Sequence, residues 1–125
     1  MDLFKDIKDF HEKFALKYED KPRTLPNELR VFRIDFMDEE INEYAMASAQ
    51  KNLHDQLDAL VDLVYVALGT AYMQGFDFNE AWRRVHEANM KKVRAVDVKD
   101  SKRKSVYDVV KPAGWVAPDL SDLVK

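Results

Sequence analysis

Glu40, Glu43, Asp58 and Asp62 stand where a helix face directed at a protein core would carry apolar residues. At about 100° per residue, Leu29, Phe32, Phe36, Glu40, Glu43 and Ala47 share one narrow stripe. Two carboxylates therefore continue a face that two phenylalanines are expected to bury. Glu39 lies at its edge, four residues before Glu43. The next stretch, around Leu57 to Leu68, is apolar in nearly every direction, and Asp58 and Asp62 sit side by side on its one remaining strip with Tyr65 and Gly69. Burying an ionised carboxylate costs several kcal/mol unless a cation compensates it. With no arginine or lysine placed in the same stripes, a divalent metal is the expected compensation. All-oxygen ligation selects Mg2+, with Mn2+ as a substitute, over zinc or iron. Any one of these acids reads equally well as a solvated residue near a helix end; the set together argues for metal.

Positioning such a set requires long helices, and the sequence supplies them. Phe4, Ile7, Phe10, Phe14 and Ala15 recur at helical spacing, which predicts a first helix from Asp2 to about Tyr18. Glu19 to Pro26 is polar with two prolines and reads as a connector. A second helix is expected from Pro26 or Asn27 to about Gln50, and a third from about Leu53 to Gln74, stopped by Gly75. A fourth runs from Asn79 to about Val93, its buried stripe drawn by Phe78, Trp82 and Val85. From Asp97 onward the chain is expected to be an extended tail over the helices.

Composition narrows the function classes. The 125 residues suffice for one domain with a core. No cysteine is present, which excludes a disulfide scaffold and thiolate zinc. A net charge of −3 gives no general reason to expect nucleic-acid binding. The longest apolar run is broken by Asp62 and is too short to span a bilayer. The amphipathic stretch Met1 to Tyr18 is unlike a signal peptide. A soluble, cytoplasmic protein is the expectation.

The same acids carry a family resemblance. Glu39-Glu40-Ile41-Asn42-Glu43 fits the EExxE motif of MazG-like and phosphoribosyl-ATP-pyrophosphohydrolase-like proteins. Asp62-Leu63-Val64-Tyr65-Val66 resembles the aspartate-led run that closes their ExxD motif. Asn89-Met90-Lys91-Lys92 resembles their Asn-Met-x-Lys helix ending, and Lys111-Pro112 with Pro118-Asp119-Leu120 the tail of small members. The resemblance implies an all-α, four-helix bundle-like fold with an extended C-terminal tail. It implies Mg2+-dependent hydrolysis of a nucleoside triphosphate, ribo or deoxy, to monophosphate and pyrophosphate, as nucleotide-pool house-cleaning. Glu40, Glu43, Asp58 and Asp62 become the metal ligands, and Glu39 the residue that orients or deprotonates water. Asn89 and Lys92, with Lys111 from the tail, become contacts to phosphate or sugar. One position departs: Ala59 stands where ExxD has its glutamate, so Asp58 is preferred as fourth ligand and Asp55 is the alternative.

Phe36, Tyr65 and Trp82 could stack on a base, although aromatics at helical spacing more often pack a core. His11, His54 and His86 read as surface or core-edge residues. A di-iron carboxylate bundle is disfavoured because Lys8, Lys51 and Arg83 stand where Glu-x-x-His would need acids. A non-catalytic helical interaction module is the alternative, with its acids merely solvated. The third helix is too apolar for one chain to cover, so a homo-oligomer is expected, a dimer or dimer of dimers, with Leu63, Val66 and Thr70 in the contact.

Overall fold

A computed structural model describes all residues, Met1–Lys125, as an all-α protein with four helices and a single two-stranded ribbon. The chain forms two compact units: Met1–Phe78 with Leu123–Lys125, and Asn79–Asp122. No single helix is long and apolar enough to cross a membrane.

The first unit holds α1 (Leu3–Lys13), α2 (Asn27–Ala49) and α3 (Leu53–Met73). Each of the three ends in the same device: a residue at positive φ, followed by an amide that reaches back five residues to a free carbonyl. At α3 this residue is Gly75 (φ 74°), and Phe76 N–H donates to Ala71 O. A Cβ at Gly75 would also meet Asp20 O at 2.8 Å, so glycine is required twice over. At α2 it is Lys51 (φ 55°), and at α1 it is Ala15 (φ 56°), where Leu16 N–H donates to His11 O at 2.8 Å. The first helix therefore stops at Lys13, short of the expected Tyr18.

The core of this unit joins Phe4 and Ile7 of α1, Leu25 of the connector, and Leu68, Tyr72 and Met73 of α3. Phe78, the first residue of α4 (Phe78–Asn89), stacks on Phe4 at 5.7 Å. The connector is tied to the end of α3: Arg23 Nε donates to Met73 O, Gln74 Nε2 donates to Arg23 O, and the Arg23 guanidinium lies 3.7 Å from the Tyr18 ring centroid. Helices α2 and α3 run antiparallel, as the ladder of Arg33 on Val66 and Thr70, then Ala47 O on Gln56, requires.

Several expected burial patterns are corrected. On α2 the buried line is Arg33, Glu40 and Ala47 at seven-residue spacing, while Phe32 is 56% exposed. Phe32 sits on the outer flank of the stripe, so α3 covers the line one side of it. His11 is buried, against the surface or core-edge place expected for it. The covered face of α3 also differs: Val66 is buried and Thr70 is bonded to α2, whereas Leu57, Leu60, Val61 and Val64 are exposed. Of these, Leu60, Val61 and Val64 line a groove of about 320 Å³ together with Leu3, Ile7 and Tyr65.

In the second unit, α4 carries an ionic face in which Glu80 binds Arg83 and Arg84, and Arg84 reaches Asp122 at 2.6 Å. Trp82 is 64% exposed, so it does not form the buried stripe expected of it. Nor is the tail simply extended. β1 (Val93–Arg94) pairs antiparallel with β2 (Val109–Val110), and a 3-10 turn at Val98–Asp100 is closed by a capping box from Asp97. Buried Ser101 donates to Asp108 at 2.7 Å, and Arg103 pairs with the same carboxylate.

Candidate metal and active site

Three of the four expected ligands come together. Glu40 and Glu43 of α2 and Asp62 of α3 place one carboxylate oxygen each within 4.8 Å of one another. The two glutamates are three residues apart and so share a helix face, while the antiparallel pairing brings Asp62 opposite them. Glu40 is 6% exposed, and its Oε2 is buried with no hydrogen-bond partner. Ionised carboxylates can only accept, so Glu40 and Glu43 can bond to each other only by sharing a proton. Burial, that hydrogen bond to Glu43, and the charges of Glu43, Asp62 and Glu39 push the Glu40 carboxyl up to about 7. Burial, with Asp58 and Glu43 behind it, also raises Asp62. Neither carboxylate is in an ion pair with a lysine or arginine.

Asp58 lies outside the triple, exposed one turn before Asp62. It shares with Glu43, Ala47 and Gln50 a cleft of about 330 Å³. Asp55 also lines that cleft, but both its oxygens are engaged at the start of α3, with Asn52 Nδ2 at 2.9 Å and His54 Nδ1 at 3.0 Å. Its backbone N–H is capped by Asn52. Glu39 is exposed and adjoins the cluster. The donor set suits a hard cation: three carboxylates, an orphaned buried oxygen, and no nitrogen or sulfur ligand.

The aromatic candidates are spread out. Phe36 stacks on Phe32 at 5.9 Å and lies under the Arg33 guanidinium, while Tyr65 meets Phe10 edge-on at 5.3 Å beside the apolar groove. Trp82, Asn89, Lys92 and Lys111 belong to the second unit. There Lys92 and Lys111 each lie 5.1 Å from the Trp115 ring, whose Nε1 is fixed by donating 2.7 Å to Ala88 O. Both lysines line a pocket of about 490 Å³ with Lys102, Arg103 and Asp108.

Arg33 was missed by sequence reasoning. It is 8% exposed, on the same line of α2 as Glu40, and donates from Nη2 to Val66 O and from Nε to Thr70 Oγ1. The stripe therefore does contain an arginine, contrary to expectation. Its seven-residue offset from Glu40 was the available signal, together with Gly69 in mid-helix on α3.

No curated protein matches the chain. The sequence profile of the family described as phosphoribosyl-ATP pyrophosphohydrolase matches residues 7–89, from α1 to the last residue of α4. The matched span contains all the acids and Asn89 and leaves Lys92 and Lys111 beyond it. A helical fold that gathers the EExxE carboxylates against an aspartate of the next helix, within a matched span covering most of the chain, places this protein in the phosphoribosyl-ATP pyrophosphohydrolase family, among the MazG-like nucleotide pyrophosphohydrolases.

Proposed function

We propose that this chain is a Mg2+-dependent nucleoside triphosphate pyrophosphohydrolase that converts an NTP or dNTP and water to the monophosphate and pyrophosphate, clearing nucleotides from the cytoplasmic pool. The observation that carries the reading is Glu40: a buried carboxylate, one oxygen without a partner, beside two further acids. Glu40, Glu43 and Asp62, with Asp58 from the adjoining cleft, would hold Mg2+, which would supply neutralising charge to the phosphates and acidify the attacking water. Glu39 orients the attacking water or takes its proton. Water oxygen bonds to the α-phosphorus, the bond from that phosphorus to the bridging oxygen breaks, and pyrophosphate leaves with the electron pair. The work is positioning and electrostatics, with no covalent nucleophile.

Lys92 and Lys111, neither in an ion pair, hold phosphate oxygens, and Asn89 contacts phosphate or sugar. Both ammonium groups lie against the Trp115 indole, and both lysines line one pocket. Phe36, Tyr65 and Trp82 are the candidates to stack on a base.

The working form is a homodimer or dimer of dimers. Leu57, Leu60, Val61 and Val64 form one apolar strip on α3, continuous with the α1 groove. Monomers rarely leave such a strip in water, and a two-fold copy covers it.

The test is product analysis on a panel of NTPs and dNTPs with Mg2+ and with chelator. Monophosphate and pyrophosphate should form only with metal, and neither Glu40→Gln nor Glu43→Gln should turn over. Orthophosphate released without added pyrophosphatase contradicts the reaction, and near-normal turnover in both variants contradicts the site.

A further inference from the structure

Arg33 is a buried guanidinium without a carboxylate partner. Its bonds go to neutral acceptors, Val66 O at 2.8 Å and Thr70 Oγ1 at 3.1 Å, and Thr70 Oγ1 itself donates to Val66 O at 2.8 Å. The charge is therefore held for the geometry of its fork, two donors set on successive turns of one helix. Space for it is built into α3: a Cβ on Gly69 would stand 2.7 Å from Arg33 Nη2 and 3.2 Å from His11 Nε2. His11 closes the other side of this space. Its Nδ1 bonds to Leu16 O, and burial, helped by the nearby Arg33 charge, lowers its pKa.

The fork and the acids lie on the same two helices. Seven residues separate Arg33 from Glu40 on α2, and eight separate Asp62 from Thr70 on α3. Each interval is about two helical turns, so the Arg33–Thr70 bond and the Glu40–Asp62 approach are rungs of one antiparallel ladder. Arg33 bonds to neither Glu40 nor Asp62. Its influence must pass through the helices. We propose that Arg33, seated by Gly69, is a positioning residue that sets the α2–α3 register on which the convergence of Glu40, Glu43 and Asp62 depends. The inference rests on the proposed metal site and adds a residue that touches neither metal nor substrate.

The experiment measures binding of Mn2+ alone, by electron paramagnetic resonance of free Mn2+, to the full chain and to variants checked by circular dichroism. Arg33→Met keeps the apolar stem and loses the fork; Mn2+ affinity should fall about tenfold, the usual scale for losing a residue that orients ligands. Gly69→Ala deletes no bond partner and improves helix propensity, yet it should also weaken Mn2+ by displacing the guanidinium. It keeps the inference testable if Arg33→Met does not fold. Leu25→Ala controls for stability alone and should lower the melting temperature with Mn2+ affinity unchanged. Folded Gly69→Ala or Arg33→Met chains that bind Mn2+ within about twofold of wild type overturn the role of Arg33 alone. A wild-type chain without Mn2+ affinity overturns the metal site itself and this role with it.

Discussion

Replacing Glu40 by glutamine should stabilise the metal-free protein at pH 8. The carboxyl is raised from 4.5 to about 7 in the fold, so the folded chain holds its proton more tightly than the unfolded chain does. Its contribution is complete below about pH 4.5 and is lost as the pH rises through 7. At pH 8 the wild type therefore carries an ionised, buried and repelled carboxylate, whereas glutamine keeps the shape without the charge. The whole shift corresponds to about 3 kcal/mol. Glu43 is exposed and admits water to the cluster, so about 1–2 kcal/mol is the expected gain. For a chain of this size that is a rise in melting temperature of roughly 3–8 °C. Magnesium should reverse the order. At about 100 times its dissociation constant it stabilises the wild type by about 2.7 kcal/mol and leaves the variant nearly unmoved. Thermal melts at pH 4 and pH 8, with chelator and with saturating Mg2+, read all four states. A variant less stable than wild type in chelator at pH 8, or a wild type indifferent to magnesium, would refute the reasoning.

The acids of α3 should separate by role. Asp62→Asn should abolish turnover and weaken Mn2+, while Asp55→Asn should lower stability by a few tenths to about 1 kcal/mol through its place at the helix start and leave activity near normal. Asp58→Asn should impair turnover; an Asp58 variant as active as wild type, measured beside Asp55→Asn, removes Asp58 from the ligand set. Val61→Glu, on the exposed strip of α3, should dissociate the oligomer in light scattering while the monomer stays helical by circular dichroism. An unchanged mass moves the interface elsewhere.

The helices bearing the acids were legible because their apolar periodicity is long and their acids interrupt it. Gly75 announced the end of α3. Ala15 and Lys51 make the same turn without glycine, so nothing in their identity marks it, and α1 was read four to five residues too long. The site was read as three carboxylates that do converge and a fourth, Asp58, that stands beside them. Arg33 and His11 were misread for one shared reason: a polar side chain on an apolar face is ordinarily solvated, and only the partner helix reveals the acceptors that let it be buried. The face of α3 was misassigned because an all-round apolar helix does not itself say which side its neighbour covers.

All the proposed acidic residues lie within the twenty-four residues from Glu39 to Asp62, one helical hairpin turned at Lys51 and Asn52. Contacts so close in sequence form early, ahead of the distant ones that bring Phe4 onto Tyr72. The repulsion among Glu40, Glu43 and Asp62 is then met at the start of folding, when little else has been gained to offset it. A divalent cation would act there as a folding catalyst as well as a cofactor, speeding the approach to the native state. Stopped-flow refolding shows whether it does: a rate untouched by magnesium, with only unfolding slowed, would mean that the acids converge late.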